Sequence, residues 1–563
     1  MAQKKKNTKK ASVKPQTKRV NPKPKKSINV NYDYIFLGLL IGLIILIYFI
    51  RVNFFDMPLE RDEGDYGLAG KLILEGATPY VDVFEQKPPG LFYSYAFVEA
   101  LFGTSSRNLH VGFMVVNMVT VVLLAYGIKF IMNPLAAIVA AYVYAILSIN
   151  PYASGFAVQA EHLLIFYVSI SFFMLAYFYK SENKLALIAA GAAVAWSATI
   201  KQNGIFFIAA MTIGVGAIHL AKQKLDLRKL IIEYSYLAIG GIGMFIIVCL
   251  LMLVQGVWQE FIFWSITFPR EFYISEIPFS QGMTFMKGYF TNISAYDIWM
   301  WYGGIAGLVL VLFSKLKWGI KVWIITIAAF AFFSIWPGYR FYGHYWIQLF
   351  FGIAIAMAAL VYSITDLLSR KLSKPISYGI PLLIFIVFAT FYFNKNKGYY
   401  FSPNADSIMN AIYGDNPFVE CRTIAEFIKS KNPDPKSDKL LVVGSEPQIL
   451  LETGLQSPTP FTFIMFMTST LEINKEWQRA YLEMMKKNEA KYAVLVFHPF
   501  SWLPQNEEAN QFFRETYAHL LEHYKVIGVA DILNVTQTVY KWDAEAGAYQ
   551  PQGDKYVLVF ERR

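Results

Sequence analysis

Long apolar runs alternate with short polar segments over the first 400 residues of the chain. A membrane-spanning helix needs about 20 mostly apolar residues, because the hydrocarbon core is about 30 Å thick. Runs of about this length predict a polytopic helical bundle with about eleven spans. The predicted spans cover residues 33–50, 108–131, 134–150, 161–179, 185–200, 203–220, 233–255, 299–314, 322–336, 346–365 and 377–393.

The polar segments between these runs indicate which side of the membrane each one faces. Cytoplasmic loops carry an excess of Lys and Arg, and with the N-terminus inside, the basic clusters fall on one side. The odd number of spans then places residues 394–563 outside, with two long outer loops at 51–107 and 256–298. The aromatic, acidic and glycine residues of these loops predict short interfacial helices. The inner basic residues are Lys129, Lys180, Lys184, Lys222, Lys224, Arg228, Lys229, Lys315, Lys317, Lys321, Arg370, Lys371 and Lys374.

Residues 394–563 follow a different pattern. Short apolar and β-branched runs at 439–444, 491–497, 524–529 and 556–560 predict strands, and periodic stretches at about 417–431, 472–488 and 506–523 predict helices between them. Such alternation is typical of a small α/β domain. The predicted organisation is therefore a tail (1–31), a transmembrane module (32–393) and an outer α/β domain (394–563).

Composition supports a membrane protein, because 55% of the residues are hydrophobic, only 16% are charged and the mean hydropathy is +0.38. The net charge of +11 arises in residues 1–31, which contain eleven Lys or Arg and no acidic residue. This tail lacks apolar periodicity and is predicted to be disordered. Because a hydrophobic helix follows at once, we interpret it as a topology anchor and expect no nucleic-acid binding. The two cysteines provide no disulfide framework or metal cluster.

The first outer loop begins with an acidic cluster, since Glu60, Asp62, Glu63 and Asp65 fall within six residues. Carboxylates at a hydrophobic boundary are costly unless they are paired or used. One of them could take a proton from an attacking hydroxyl group. A harmless, solvated interfacial loop is the alternative.

Basic residues in the outer segments are candidate anion-binding groups, because the positive-inside rule makes them rare there. Lys87 precedes two prolines that fix an extended turn, so it could bind a lipid phosphate or simply snorkel to the interface. Lys201, Arg270 and Arg340 lie in other outer segments. His344 follows Arg340 by four residues, a spacing that places both on one face if the segment is helical.

Taken together, these motifs resemble the GT-C glycosyltransferases, particularly the branch of protein O-mannosyltransferases and lipid A aminoarabinose transferases. The resemblance covers most of the chain after the tail, and its segments follow the order that the family shows. They are Asp62-Glu63, Tyr80-x-Asp82-x-x-x-x-Lys87-Pro88-Pro89, Gln159-x-Glu161, Lys201-x-x-Gly204, Arg340-x-x-x-His344-Tyr345, Gly444-Ser445-Glu446-Pro447-Gln448-Ile449 and Pro458-Thr459-Pro460-Phe461.

The resemblance implies an inverting transferase that moves a hexose or pentose from a polyprenyl phosphate to a lipid, glycan or protein acceptor. It implies that Asp62 is the general base and that Glu63 assists it. The expected donor phosphate ligands are Lys87, Lys201, Arg270, Arg340 and His344. The expected acceptor or sugar contacts are Asp82, Glu161 and Tyr345. The implied location is a bacterial inner membrane, with membrane lipids around the bundle.

One position departs from the family pattern. Aminoarabinose transferases have Glu directly before Lys-Pro-Pro, whereas this chain has Gln86, which argues against lipid A modification. A transporter or flippase for a polyprenyl-linked lipid is the main alternative, but it would more often show internal repeats. A membrane protein for polymer assembly is the second alternative, and it leaves the outer acids and bases unexplained. Carboxylates of the first loop could also bind a divalent cation.

Overall fold

A computed structural model describes residues 1–3, 32–273, 277–295, 297–401 and 404–563. The prediction of a disordered tail falls on residues 4–31, outside the described ranges. Helices up to residue 400 form the membrane module. They are α1 (Tyr32–Arg51), α2 (Arg61–Leu74), α3 (Pro89–Phe102), α4 (Ser106–Ile131), α5 (Pro134–Leu147), α6 (Ala160–Ser181), α7 (Leu185–Ile200), α8 (Gly204–Lys222), α9 (Leu227–Val254), α10 (Trp258–Ile262), α11 (Phe279–Ser294), α12 (Ile298–Leu310), α13 (Trp318–Phe333), α14 (Trp346–Ser369) and α15 (Lys374–Tyr400).

Each predicted span corresponds to one of these helices. Within the described residues, seven helices are long and apolar enough to cross a membrane, and three shorter apolar helices (α5, α7 and α13) accompany them. The helices α11 and α12 form a pair bent by 106°. The α5 helix has 14 residues and is about 21 Å long at 1.5 Å per residue, which is shorter than the hydrocarbon core. It can be short because it lies inside the bundle, where every residue from Leu135 to Leu147 is buried.

Two outer loops stand between these helices and contain the short helices that the sequence predicts. The first loop holds α2 and α3, and the second holds α10 and α11. Between α10 and α11 the chain forms two π-helical segments, Phe263–Thr267 and Pro269–Tyr273. Such wide turns are rare and occur often at functional sites.

The C-terminal domain is built on one mixed sheet of five strands in the order β1-β2-β5-β3-β4. Strands β1 and β2 are parallel and the other pairs are antiparallel. The strands are β1 (Leu440–Val443), β2 (Tyr492–Phe497), β3 (Tyr524–Asn534), β4 (Gln537–Trp542) and β5 (Lys555–Arg562). The helices are α16 (Ala405–Tyr413), α17 (Phe418–Ser430), α18 (Gln448–Thr453), α19 (Asn474–Lys487), α20 (Pro499–Trp502), α21 (Glu507–His523) and α22 (Ala544–Ala548).

The predicted α/β domain is confirmed, but the sequence pattern missed β4. This strand lies at the edge of the sheet, and none of its residues is fully buried. Its sequence QTVYKW therefore lacks the apolar run of a central strand. The remaining four strands and the helices α17, α19 and α21 match the predicted segments within a few residues, apart from β3, which extends five residues beyond its prediction.

The C-terminal domain packs directly on both outer loops. Phe84 of the first loop lies 4.7 Å from the ring of Trp264 in the second loop, and 4.7 and 4.9 Å from Phe461 and Trp477 of the domain. Aromatic pairs at such distances stabilise a packing contact by more than their buried apolar area alone would. The cluster thus joins three separate parts of the chain next to Glu85 and Lys87.

Candidate active site at the outer end of the bundle

The α2 helix begins with a capping box that explains two acids of the first loop. Glu60 accepts a hydrogen bond from the Glu63 amide at 3.0 Å, and Glu63 accepts one from the Glu60 amide at 2.9 Å. Glu63 also accepts from the Val158 amide at 2.6 Å and lies 3.2 Å from His110. The carboxylate of Glu63 is therefore buried and joins α2 to the bundle. The expectation that Glu63 assists the reaction stays a prediction.

Asp62 lies between Arg61 and Glu63, whose side chains are both hydrogen-bonded, and its own carboxylate remains accessible. It lies half-buried in the first turn of α2, and within the described ranges no hydrogen bond or ion pair to another side chain holds its carboxylate. Its charge, after burial, contributes to raising the pKa of Glu60 well above the ordinary value. A half-buried carboxylate without a fixed partner is a group that can accept a proton.

Asp65 and Glu85 extend this acidic cluster. The sequence analysis included Asp65 only as one of four candidate acids and gave Glu85 no role. Burial and the adjacent Glu85 raise the pKa of Asp65 well above its usual range, and the two carboxyl groups are hydrogen-bonded. Lys87 lies 3.2 Å from Glu85. Helical spacing could have indicated Asp65, because it follows Asp62 by three residues. Glu85 and Lys87 could have been paired as alternate residues of an extended segment.

Asp82 forms no hydrogen bond with this cluster among the described residues, and its expected contact with an acceptor stays a prediction. Its side chain is exposed and accepts a hydrogen bond from the Thr78 amide at 2.7 Å. This contact closes a turn, as Asp side chains commonly do. Asp82 therefore stabilises the loop in this structure.

Glu161 at the N-terminus of α6 and Lys201 at the C-terminus of α7 form a buried ion pair. The Lys201 ammonium group also lies 3.5 Å from the centroid of the Tyr345 ring, a cation–π contact. Glu161 is fully buried in the first turn of α6. The structure thus brings together Glu161, Lys201 and Tyr345, which the sequence motifs place far apart.

Three cations predicted to bind phosphate line a single pocket of about 270 Å³. Lys87, Lys201 and Arg270 surround it together with the amide side chains of Gln86, Gln202 and Asn203. A much larger groove of about 690 Å³ lies beside it, lined mainly by apolar residues of α7, α8 and α9. The groove and the pocket share Gln202, Ser265 and Ile266. An apolar groove therefore meets a cationic pocket at the outer end of the bundle.

The segment around Arg340 is not a continuous helix, so the expected common face of Arg340 and His344 is wrong. Gly338, Tyr339 and Phe341 have φ values of 74°, 53° and 48°, a region that breaks a right-handed helix. Arg340 donates a hydrogen bond to the Tyr342 hydroxyl at 3.3 Å. Neither Arg340 nor His344 lines the cationic pocket, whereas Pro337, Gly338 and Tyr345 do. Such backbone strain is typical of functional sites.

The described residues contain no group of three or more His, Cys, Asp or Glu side chains that could hold a metal ion. The expectation of a divalent cation at the first loop stays a prediction.

Comparison with known proteins supports the architecture. Residues 86–253 match the family model described as dolichyl-phosphate-mannose-protein mannosyltransferase. ArnT from Cupriavidus metallidurans bound to undecaprenyl phosphate is similar over 94% of this chain and 98% of that chain, with 13% identity and a TM-score of 0.55. Its apo state gives 14% identity, the same coverage and a TM-score of 0.51. No curated protein matches the sequence.

The chain is therefore a multi-pass membrane protein with the GT-C glycosyltransferase fold. Within that class, the family match runs from Gln86, next to the cationic pocket, to Leu253 near the end of α9. It thus covers Lys87, Glu161 and Lys201, together with most of the groove lining.

Proposed function

We propose that this protein transfers a sugar from a polyprenyl phosphate to an acceptor outside the cytoplasm, with inversion at the anomeric carbon. The observation that carries the proposal is the junction of the 690 Å³ apolar groove with the cationic pocket. A lipid phosphate needs both parts, an apolar channel for the chain and fixed cations for the head group. The undecaprenyl phosphate named for ArnT has this chemistry.

The three cations supply the electrostatic part of the reaction. As the bond between the anomeric carbon and the phosphate oxygen breaks, negative charge grows on the leaving phosphate. Lys87, Lys201 and Arg270 surround the pocket where that charge would form. Preorganised cations stabilise such a transition state more than the ground state.

Asp62 supplies the base. An acceptor hydroxyl or amine attacks the anomeric carbon, its proton passes to the Asp62 carboxylate, and the bonding electron pair leaves with the polyprenyl phosphate. Asp62 suits this role because it is half-buried and is tied to no other side chain among the residues that the structure describes. Asp65 lies one helical turn further along and links to Lys87 through Glu85. These contacts connect the helix of the proposed base to the phosphate pocket.

The proposed orientation follows from the loops. The basic residues between spans support an N-terminus in the cytoplasm, and in this proposal the site and the C-terminal domain face the other side. A bacterial inner membrane is the proposed location. The sugar, hexose or pentose, and the lipid, glycan or protein acceptor belong to the same proposal.

The test is turnover by purified full-length protein in nanodiscs. The substrates are radiolabelled undecaprenyl-phosphate hexose and pentose donors with a panel of lipid, glycan and peptide acceptors. Asp62→Asn is expected to lower transfer by about 100- to 10,000-fold, which is the range for loss of a general base. The matched control is Asp56→Asn, because Asp56 is an exposed carboxylate of the same loop that pairs with Arg107. This variant should keep the wild-type rate.

Two results would overturn this proposal. Equal turnover by wild type and Asp62→Asn would remove Asp62 as the base. Donor binding without release of sugar, for every donor and acceptor, would instead favour a transporter or flippase of polyprenyl-linked lipids.

A further inference from the structure

The C-terminal domain contacts the α2 helix immediately beside Asp62. Arg61 donates from Nε to the Ser445 carbonyl oxygen at 2.7 Å and from Nη2 to the Glu446 carboxylate at 2.6 Å. Charge-assisted contacts of this kind are the strongest hydrogen bonds in proteins. The side chain of Glu446 is fully buried, whereas that of Arg61 is 13% exposed.

Glu446 is itself held in place from within its own domain. Ser501 donates a hydrogen bond from Oγ to the second Glu446 oxygen at 2.6 Å. Ser501 also accepts from the Ser445 amide at 2.9 Å, and the Ser445 hydroxyl donates back to the Ser501 carbonyl oxygen at 2.6 Å. Arg61 therefore binds a rigid acceptor rather than a mobile side chain.

Close helix packing continues the contact along α2. A methyl group at Gly64 would lie 2.6 Å from the Gln448 backbone nitrogen, and one at Gly67 would lie 2.8 Å from the Leu451 side chain. Gly64 therefore leaves no room for a side chain, because the backbone of α18 approaches the α2 backbone there. At Gly67 the neighbouring atoms are the ends of the flexible Leu451 and Leu109 side chains. The α2 helix thus accepts the C-terminal domain on the face that contains Gly64.

Asp62 is consequently fixed on both sides without being bonded itself. Arg61 ties the residue before it to the C-terminal domain, and Glu63 ties the residue after it to Val158 in the bundle. A buried ion pair adds little net stability, because desolvation offsets the Coulomb attraction. Apolar side chains would serve a simple domain interface as well. The pair is better explained by the position that it imposes on its neighbour.

We propose that Glu446 is a positioning residue that acts through Arg61 to hold Asp62 at the reacting hydroxyl or amine. The C-terminal domain is thereby a component of the catalytic unit rather than an independent docking module. This inference rests on the function proposed above for Asp62.

The test compares Glu446→Gln with wild type in the full-length protein. The expected result is a fall in kcat of about 10- to 100-fold, as misplacement of a reacting group predicts, with the KM for the undecaprenyl-phosphate donor within twofold (about the error of the assay). Hydrogen exchange of the α2 amides should be faster in the variant. Asp531→Asn is the matched control, because Asp531 is a buried carboxylate of the same domain whose hydrogen bonds run to the 549–553 loop.

A second variant tests the same contact between α2 and the C-terminal domain without changing a charge. Gly64→Ala forces α18 away from α2 and should lower kcat while leaving the donor KM unchanged. A folded Glu446→Gln protein with wild-type kcat and wild-type exchange in α2 would overturn the inference. If the wild type itself transfers no sugar, the proposed function fails, and the exchange measurement alone then decides whether Glu446 orders α2.

Discussion

The acidic and basic halves of the candidate site are built in different ways. The acids Asp62 and Asp65 lie on one helix that is clamped between the C-terminal domain and the bundle. The cations come from three separate segments, Lys87 before α3, Lys201 after α7 and Arg270 in a π-helical segment. The acidic half is thus one rigid unit, whereas the basic half assembles only when the outer loops pack together.

The two halves also differ in how their charges are balanced. Lys201 is paired with Glu161, and Lys87 with Glu85, so the pocket is not a bare cluster of positive charge. Paired cations bind a phosphate less tightly in the ground state, and this favours release of the polyprenyl phosphate after transfer. In the acidic half, burial and the neighbouring Glu85 instead raise the pKa of Asp65 well above its usual range.

The largest effect that can test this difference comes from the basic half. Lys87→Met removes a cation from the pocket, and we expect kcat/KM to fall by about 100- to 1,000-fold, the loss seen when one group that stabilises a developing charge is removed. The variant should also show a weaker salt dependence of donor binding, because only Lys201 and Arg270 then remain at the pocket. Turnover with the undecaprenyl-phosphate donor measures the first effect, and binding at increasing ionic strength measures the second.

The control for this variant is Arg107→Met. Arg107 lies at the end of the same loop, where its exposed side chain pairs with Asp56 and does not line the pocket. It should keep wild-type kinetics. Equal losses in both variants would mean that general loop stability, and not a charge in the pocket, controls the rate.

A smaller effect should come from the apolar groove. Ala238 of α9 lines the groove, and Ala238→Trp would fill part of its 690 Å³. We expect the donor KM to rise about tenfold for a long polyprenyl chain, corresponding to about 1.4 kcal/mol of binding, and to change little for a donor with a single prenyl unit. Comparing the two chain lengths in one assay separates groove binding from damage at the reaction centre.

The neighbouring residue provides the matched control for the groove. Ile239 is 60% exposed on the outside of α9, so Ile239→Trp should leave both donors unaffected. If Ala238→Trp raises the KM equally for long and short chains, the groove does not hold the lipid.

The sequence predicted the spans and the basic half better than the acidic half, for physical reasons. Apolar periodicity is local, so each predicted span became a helix, and cations on the outer side stand out because they are rare there. Lys87, Lys201 and Arg270 could therefore be named as candidates without knowledge of their contacts, and their binding of a phosphate stays a prediction. Their meeting around one pocket could not be predicted, since it depends on loop packing between distant segments.

The acidic half could be predicted only in part, because residues adjacent in sequence differ in burial and in hydrogen bonding. Asp62 and Glu63 have the same local chemistry, yet a capping box and the Val158 amide bury Glu63 and leave Asp62 accessible. The pairing of Asp65 with Glu85 joins residues 20 positions apart. The left-handed backbone at Tyr339 and Phe341 also interrupts the segment, so that the helix that would place Arg340 and His344 on one face does not form.

The smallest expected effect concerns Glu99, a buried carboxyl group of α3 that packs against α2. Both carboxyl oxygens lack a hydrogen-bond partner among the described residues, and burial, partly opposed by Lys71, raises the pKa of Glu99 from 4.5 to about 9. Between these values the folded protein holds a proton that the unfolded chain has released. Stability should therefore fall as pH rises through this window, by up to about 1.4 kcal/mol per pH unit.

Glu99→Gln keeps the shape of the neutral carboxyl group and cannot ionise. We expect the variant to melt at a higher temperature than the wild type at pH 8 and at nearly the same temperature at pH 5, measured by thermal unfolding in detergent. The exposed Glu75, changed to Gln, should show no such pH-dependent gain. An equal difference between wild type and Glu99→Gln at both pH values would mean that Glu99 is already ionised in the folded protein. A buried negative charge would then lie beside α2. Charged groups would in that case be present in both halves, and the difference between the neutral buried acid and the paired cations would disappear.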